Sequence, residues 1–415
     1  MRKLFVALLA LGLVVALAMP ASAFDSIFGG YWRTRMYTEK NYTGEDQTEL
    51  QDVTQVDTRT RLYYTAKFSD NFKFVNKFEF DTVWGDTIGG DIGTDGKGTI
   101  EFKHSYADFT LAPVNVKVGL QPWVLGRGFL FDDDGAGLTI KYAKDNLDVS
   151  FVWLKAYEGG YGKDANDKDV DLYVLAPVIK MDKIVLSPYV VWETSEDISG
   201  WLPALGAEKT NVYYLGADVD AALGKANVWF TGIYEFGSAD PVGGGDSIDV
   251  SAWLVALGAD AEVGPAGVRG QFIYATGEDL KDTSTDITAF TVAKGQSYDW
   301  AAIMGGNGII DIDNSAGSCG STPSNLMALN VGATMKPMDK LEVALDLWYA
   351  TLVEDNAAGD KDLGTEVDLT ITYNLIENMN LDFVGAYLFA GDATTGNSDN
   401  DANPYLLGTR LSFGF

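Results

Sequence analysis

From residue 24 onward, apolar and polar side chains alternate in runs of about ten residues, and short polar turns and long acidic loops take turns between the runs. Alternation at period two puts successive side chains on opposite faces of an extended strand, so each run reads as a strand with one apolar face. Eighteen strands are predicted, over 24–40, 53–69, 71–84, 100–111, 114–123, 136–144, 146–157, 170–180, 184–194, 209–220, 224–236, 247–262, 265–277, 325–336, 339–352, 363–376, 379–391 and 404–415. Ser69-Asp70-Asn71, Ala112-Pro113, Lys144-Asp145-Asn146, Met181-Asp182-Lys183, Gly264-Pro265 and Pro337-Met338-Asp339 carry tight-turn chemistry. If the first strand runs outward, nine long external loops and eight short periplasmic turns result, and both termini face the periplasm. An open sheet of so many strands would leave long unpaired edges in water. Closed on itself in a bilayer, it satisfies every backbone group and gives the apolar face a lipid solvent. The fold class expected is all-β, a transmembrane up-and-down antiparallel β-barrel of 18 strands, with 16 as the alternative.

The same period sorts residues by face. In the last strand Tyr405, Leu407, Thr409, Leu411, Phe413 and Phe415 would meet lipid, while Leu406, Gly408, Arg410, Ser412 and Gly414 face the lumen. Between 53 and 69 the polar face is Gln55, Asp57, Arg59, Arg61, Tyr63, Thr65 and Lys67, opposite Val56, Leu62, Tyr64 and Phe68. Between 339 and 352 the outer set is Leu341, Val343, Leu345, Leu347 and Tyr349, with Glu342, Asp346 and Trp348 inside.

Ahead of the first strand, Arg2 and Lys3 precede an apolar run from Leu4 to Ala18 and then Ala21-Ser22-Ala23. This is the order of a secretory signal, cut after Ala23. The run falls short of the ~20 residues that span a bilayer as a helix. The expected organisation is a signal peptide over 1–23 and an outer-membrane barrel over 24–415. A translocated, strand-rich chain without a helical span points to a Gram-negative outer membrane. No plug-sized segment separates Ala23 from the first strand, so a plugged, energy-coupled transporter is not expected.

Mean hydropathy near zero fits a barrel whose two faces cancel. One cysteine, Cys319, and one histidine, His104, argue against a disulfide framework, a metal cluster and His-based catalysis. No catalytic residue, metal site or cofactor is expected. The net charge is −29, and signal removal takes away two bases. The loops at 41–52, 85–99, 124–135, 158–169, 195–208, 237–246, 278–324, 353–362 and 392–403 hold 33 acidic and 7 basic residues, so most acidity is assigned to the outer surface. Asp132-Asp133-Asp134 and Asp164 to Asp171 are its densest stretches, but neither has the spaced ligands of a Ca²⁺ loop.

Inside, the first three strands point Arg33, Arg35, Arg59, Arg61, Lys73 and Lys77 inward, with Asp57, Glu79 and Asp81 among them, and the closing strand adds Arg410. The fifteenth to seventeenth strands offer Glu342, Asp346, Glu366, Asp368 and Asp382. Facing each other across a narrow lumen, the two sets would make a transverse field that orients polar solutes. Paired along the wall instead, they would form ladders that stiffen it. Residues 278–324 carry Ile287, Phe290, Val292, Tyr298, Trp300, Ile303, Met304, Ile309 and Ile310, too many apolar side chains for a solvated loop. Folding into the barrel mouth would bury them and constrict the pore, and a lid over neighbouring loops or an extra strand pair would also hide them.

Val116-Lys117-Val118-Gly119-Leu120-Gln121-Pro122, then Gly126-Arg127-Gly128 and Asp134 to Gly137, resemble the central G-x-Q segment of alginate-export-type outer-membrane porins. Gly364-Thr365-Glu366-Val367-Asp368-Leu369, Tyr373 and Tyr387 to Asp392 resemble the last hairpin of that family, as does the aromatic C-terminus. The resemblance implies an eighteen-stranded barrel with a lumen for anionic solutes, and Leu411, Phe413 and Phe415 as the signal read by the barrel-assembly machinery. The chain differs from the family in mixing acids among its lumenal bases.

The function expected is passive diffusion of small hydrophilic, charged solutes through an outer-membrane channel. A barrel sheathing a partner, such as an electron carrier, is the alternative. A barrel enzyme is a further one, but His104 sits amid Lys103, Ser105 and Tyr106 without a catalytic motif. Lipid, the assembly machinery and small solutes are the expected partners, with no nucleic acid. Monomer and homotrimer both stay open.

Overall fold

Eighteen strands hydrogen-bond into one antiparallel sheet that closes on itself. The computed structural model describes residues 24–44, 52–85, 100–158, 169–195, 207–241, 245–281, 286–292, 298–306, 322–395 and 401–415. Residues 1–23, where a signal segment is expected, Cys319, Ile309 and Ile310 lie outside the described residues, as does most of Asp164 to Asp171. The strands are β1 (Asp25–Lys40), β2 (Val53–Ser69), β3 (Phe72–Val83), β4 (Ile100–Leu111), β5 (Val114–Leu125), β6 (Phe131–Lys144), β7 (Leu147–Tyr157), β8 (Val170–Met181), β9 (Ile184–Ser195), β10 (Ala207–Leu223), β11 (Ala226–Pro241), β12 (Ile248–Val263), β13 (Ala266–Ala275), β14 (Leu326–Met338), β15 (Leu341–Leu352), β16 (Asp362–Ile376), β17 (Met379–Ala390) and β18 (Tyr405–Gly414). Each pairs with the next, and β1 pairs with both β2 and β18. Among the described residues no helix is long and apolar enough to cross a membrane.

Eight connections at one end of the barrel are two residues long. Several use the left-handed conformation that a tight hairpin demands, at Asp145 (φ 52°), Gly224 (φ 71°), Gly264 (φ 64°) and Asn378 (φ 62°). The nine connections at the other end run from five residues, Gly126–Leu130, to the fifty between β13 and β14. Closure is sealed at the short-turn end, where Phe415 and Gly30 exchange two backbone hydrogen bonds of 2.8 and 3.1 Å. Gly30 is required there, since a Cβ would meet the Phe415 ring at 2.3 Å. Phe413 packs on Trp32 across the seam, ring centres 5.3 Å apart.

Alternation resolves the two faces as the sequence pattern predicts. In β15, Leu345, Leu347 and Tyr349 are 45–50 % exposed on the outside, while Trp348, Ala350 and Leu352 are at most 5 % exposed inside. The inner wall itself is of two kinds. From β17 through β1 to β6 it is charged and hydrogen-bonded. Toward the long-loop end of β7–β16 it is apolar, with Leu154, Leu172, Val191, Val212, Ile233, Leu254, Ile273 and Leu326 buried. Alanines 252, 256, 275, 328 and 350 on this face leave room for the incoming residues Phe290, Val292, Trp300, Ile303 and Met304, all buried. Burying such a side chain stabilises by about 1.5–3 kcal/mol each.

One element departs from the pattern. β6 starts at Phe131, five residues before the predicted 136, so Asp132-Asp133-Asp134 lie in a strand and not in an external loop. Aspartate disfavours strands, but this run is held in register by β5, with Leu125 opposite Phe131 and Pro122 opposite Asp134. Asp134 also accepts from His104 Nε2 at 2.9 Å and pairs with Lys103 Nζ at 3.1 Å. Tertiary partners thereby override the local preference, and His104 is a wall residue, as expected.

Candidate pore and its constriction

The basic residues singled out in the first three strands and in β18 come together as one cross-strand network. Asp382 of β17 takes Arg410 Nε at 2.8 Å, and Arg410 lies opposite Arg35 in register. Asp57 of β2 takes Arg33 Nη1 and Arg35 Nε, each at 2.8 Å, and Gln55 Nε2 at 3.0 Å. Arg59 Nη2 bonds Asp81 at 2.6 Å and lies 3.2 Å from Glu79, which also holds Arg61. Lys73 pairs with Asp108 at 3.3 Å, and Lys77 stands 5.9 Å over the Tyr63 ring. Lysines and arginines here are rungs between neighbouring strands, which is the ladder arrangement.

The acids expected to face this wall do not. β15–β17 neighbour β18 and β1 round the sheet, while the wall half-way round from β1–β2 is β10–β11. Asp382 belongs to the basic ladder itself. Asp346 holds Arg269 of β13 and Asn330 Nδ2, the latter at 3.1 Å. Glu342 pairs with Lys336 at 3.1 Å near the turn joining β14 to β15. The transverse field between the two sets is thus replaced by local pairing, because strand order sets who can meet.

Glu366 and Asp368 have a different task. Both are buried, and they receive backbone amides from the long connection: Ile303 N at 2.6 Å and Met304 N at 2.8 Å on Glu366, Ala302 N at 3.3 Å on Asp368. Glu235 of β11 does the same further along, accepting Thr291 N at 2.8 Å and the Thr291 hydroxyl. Trp300 packs edge-on to Trp348 at 5.3 Å, and the Tyr298 hydroxyl donates to Gln271 at 2.9 Å. Residues 298–304 therefore run inside the sheet, against β13–β16. Ile287 makes a single bridge to Val250 and adds no strand pair.

A second inward segment was not singled out as structural by the sequence. Gly126, Arg127 and Gly128 all take positive φ (60°, 56°, 87°), which turns the chain into the barrel. Arg127 then reaches β10 and β11: its Nη2 bonds Asp220 at 2.7 Å and its guanidinium lies 4.8 Å over the Trp229 ring. Phe129, fully buried, stacks on Tyr298 at 3.6 Å. The two incoming segments meet at that pair. Glycines bracketing a single arginine were the available signal. Glu235 and Arg269 carried none, since each is a lone charge amid uncharged neighbours, and Glu193 merges with the polar stretch Thr194 to Asp197 that follows it.

Outside the strands, the Lys40 hydrogen bond holds the Asp52 carboxyl below its usual range, and Lys281 does the same for Asp355. Gln121, in the G-x-Q segment, bonds the carbonyls of Gly119 and Gly137 and the Thr139 hydroxyl, so it ties β5 to β6.

This geometry defines a porin-type fold: a closed 18-stranded antiparallel barrel with inward-folded connections. No protein-family model and no curated protein sequence matches the chain. Among solved structures it is similar to OpdK of Pseudomonas aeruginosa with vanillate (TM-score 0.61, 11 % identity, 95 % of this chain and 100 % of that one). It is also similar to Acinetobacter baumannii OccAB1 (TM-score 0.59, 12 % identity, 94 % and 97 %) and to the outer membrane protein OprD of Pseudomonas aeruginosa (TM-score 0.58, 11 % identity, 95 % and 94 %). At these identities the likeness is one of fold.

Proposed function

We propose that the protein is a channel of the Gram-negative outer membrane through which small hydrophilic, charged solutes diffuse, and that residues 286–292 and 298–306 with 126–130 form its constriction. The observation that carries this reading is the Phe129–Tyr298 stack at 3.6 Å, made inside a closed barrel by two connections from different parts of the wall. A sheath around a partner protein would need its lumen clear. The arginine network on the inner face of β1, β2 and β18 supports charged solutes. OpdK, whose fold is similar, has been solved with vanillate. The alginate-export-type label rests on motifs whose Gln121 is occupied in holding β5 to β6, so those motifs support the barrel more than a particular solute. In a planar bilayer the purified protein is expected to give discrete conductance steps. A silent, correctly folded protein would sink the channel reading, and hydrolysis without steps would favour an enzyme.

Orientation has its own test. With Cys319→Ser as background, Lys281→Cys on the long-loop side should react with an impermeant thiol reagent in intact cells, and Asp70→Cys in a two-residue turn should not. The reverse pattern would invert the barrel. Leu411, Phe413 and Phe415 serve as the assembly signal in this reading. Deleting Phe415 is expected to reduce the heat-modifiable, membrane-inserted form severalfold, since the Gly30 pairing that seals the seam goes with it. Normal insertion would show that assembly reads another feature.

A further inference from the structure

The lipid-facing wall is not evenly filled. On β16, β17, β18, β1 and β2 it opens into a groove of about 640 Å³, within the ~300–1,000 Å³ of small-molecule sites. Leu369, Gly385, Leu407, Thr38 and Thr54 lie side by side in register across these five strands. Two residues nearer the short turns, Phe383, Thr409 and Met36 form the next row. Gly385 and the threonines set the depth, while Phe383, Leu407 and Met36 stand out, 46–57 % exposed. A Cβ on Gly385 would meet only Leu407 Cδ2, at 3.5 Å, so the dip over β17 is open. β14 and β15 show the contrast, their outer faces filled by Leu329, Val331, Leu345 and Leu347.

No residue lining the groove is charged. The Thr38 and Thr54 hydroxyls bond each other at 2.9 Å. Beyond them, at the long-loop end, Lys40 stands opposite Tyr405, and its Nζ pairs with Asp52 at 2.8 Å. The groove is thus apolar along its length and polar at one end, the layout of a lipid chain below its head group. In hydrocarbon there is no water to fill a dip, and an empty one forfeits dispersion contacts. Association within a membrane is driven by such packing, so a groove that touches a chain on its floor and both flanks holds it better than a flat wall. A second copy fits worse. The wall of a closed barrel is convex, and Phe383 and Met36 project beside the groove and keep another wall off its floor. We propose that this groove binds one acyl chain of a membrane lipid, with the head group at Thr38, Lys40 and Tyr405. The site goes beyond the channel reading, since its residues face away from the lumen.

The test is native mass spectrometry of the full-length protein released from micelles, with dipalmitoylphosphatidylethanolamine as the added lipid. Wild type should retain one lipid per barrel. Gly385→Leu fills the groove without a clash at Cβ and should cut the retained fraction at least fivefold. Ala333→Leu, an equal addition to the exposed outer face of β14, should leave retention at the wild-type level. Folding of each variant is checked by heat modifiability, and Thr409→Phe, from β18, is the second filler should Gly385→Leu not fold. Equal retention in wild type and the filled variant would overturn the proposal, as would an equal loss in Ala333→Leu. An oligomer that retains no lipid and comes apart in Gly385→Leu would overturn it too, by giving the groove to a second copy. Loss of channel activity would leave lipid retention untouched, so the two readings fail separately.

Discussion

Replacing Glu366 by Gln should raise the single-channel conductance and add rapid open-channel flicker. Glu366 is fully buried and gives one carboxylate oxygen to the Ile303 amide and the other to Met304. Glutamine keeps the shape but turns one acceptor into a donor, which then faces an N–H. The orphaned amide costs about 1–3 kcal/mol, a shift of roughly 5- to 150-fold in the docking equilibrium of residues 298–306. Trp300 on Trp348 and the buried Ile303 still hold the segment, so the expected behaviour is excursion and return, not a permanently open barrel. Planar-bilayer recordings decide it. Traces indistinguishable from wild type would mean that residues 298–306 do not limit the current.

The barrel was legible because its signal is repeated along the chain. Each strand carries only a weak alternation, but the recurrence of tight turns at Asp70, Asp145, Asp182 and Gly264 fixes the phase of the whole sequence. The misjudged start of β6 shows the limit of that signal. Asp132-Asp133-Asp134 reads as loop by local preference, and its pairing with β5, together with His104 and Lys103 of β4 on Asp134, keeps it extended. A local pattern does not contain them.

The lumenal site was legible in its residues and illegible in its pairing. Alternation places Arg33, Arg59, Glu366 and Asp368 on one face of their strands, since the face of a side chain follows from its own strand. Which inward charge meets which depends on register between strands, and a one-residue slip would exchange every partner. Hence alternation leaves open whether the acids of β16 face across the pore or pair along the wall, and in the structure they hold amides of residues 302–304. The apolar excess in 278–324 was the stronger clue, because burial of many side chains requires a specific wall to receive them. The alanines of β12–β15 are that wall, visible as small residues at alternate positions only after the strands are aligned.

Charge changes in the arginine network should move ion selectivity in opposite directions according to which partner is removed. Asp57→Asn deletes the carboxylate shared by Arg33 and Arg35 and adds one positive charge to the wall. Arg59→Ala with Arg61→Ala removes two and releases Asp81 and Glu79 toward the lumen. In a potassium chloride gradient the reversal potential should shift toward anions in the first variant and toward cations in the second. The shifts should persist in molar salt, where the Debye length is about 3 Å and the acidic rim is screened, because charges in a narrow lumen are screened less. Both variants should also lower the heat-modification midpoint, because each leaves a buried charge without its partner: Arg33, 1 % exposed, in the first and Glu79, whose side chain is 4 % exposed, in the second, at about 3–5 kcal/mol for such a loss. If neither variant moves the reversal potential while both lower that midpoint, the network stiffens the wall and takes no part in selecting ions.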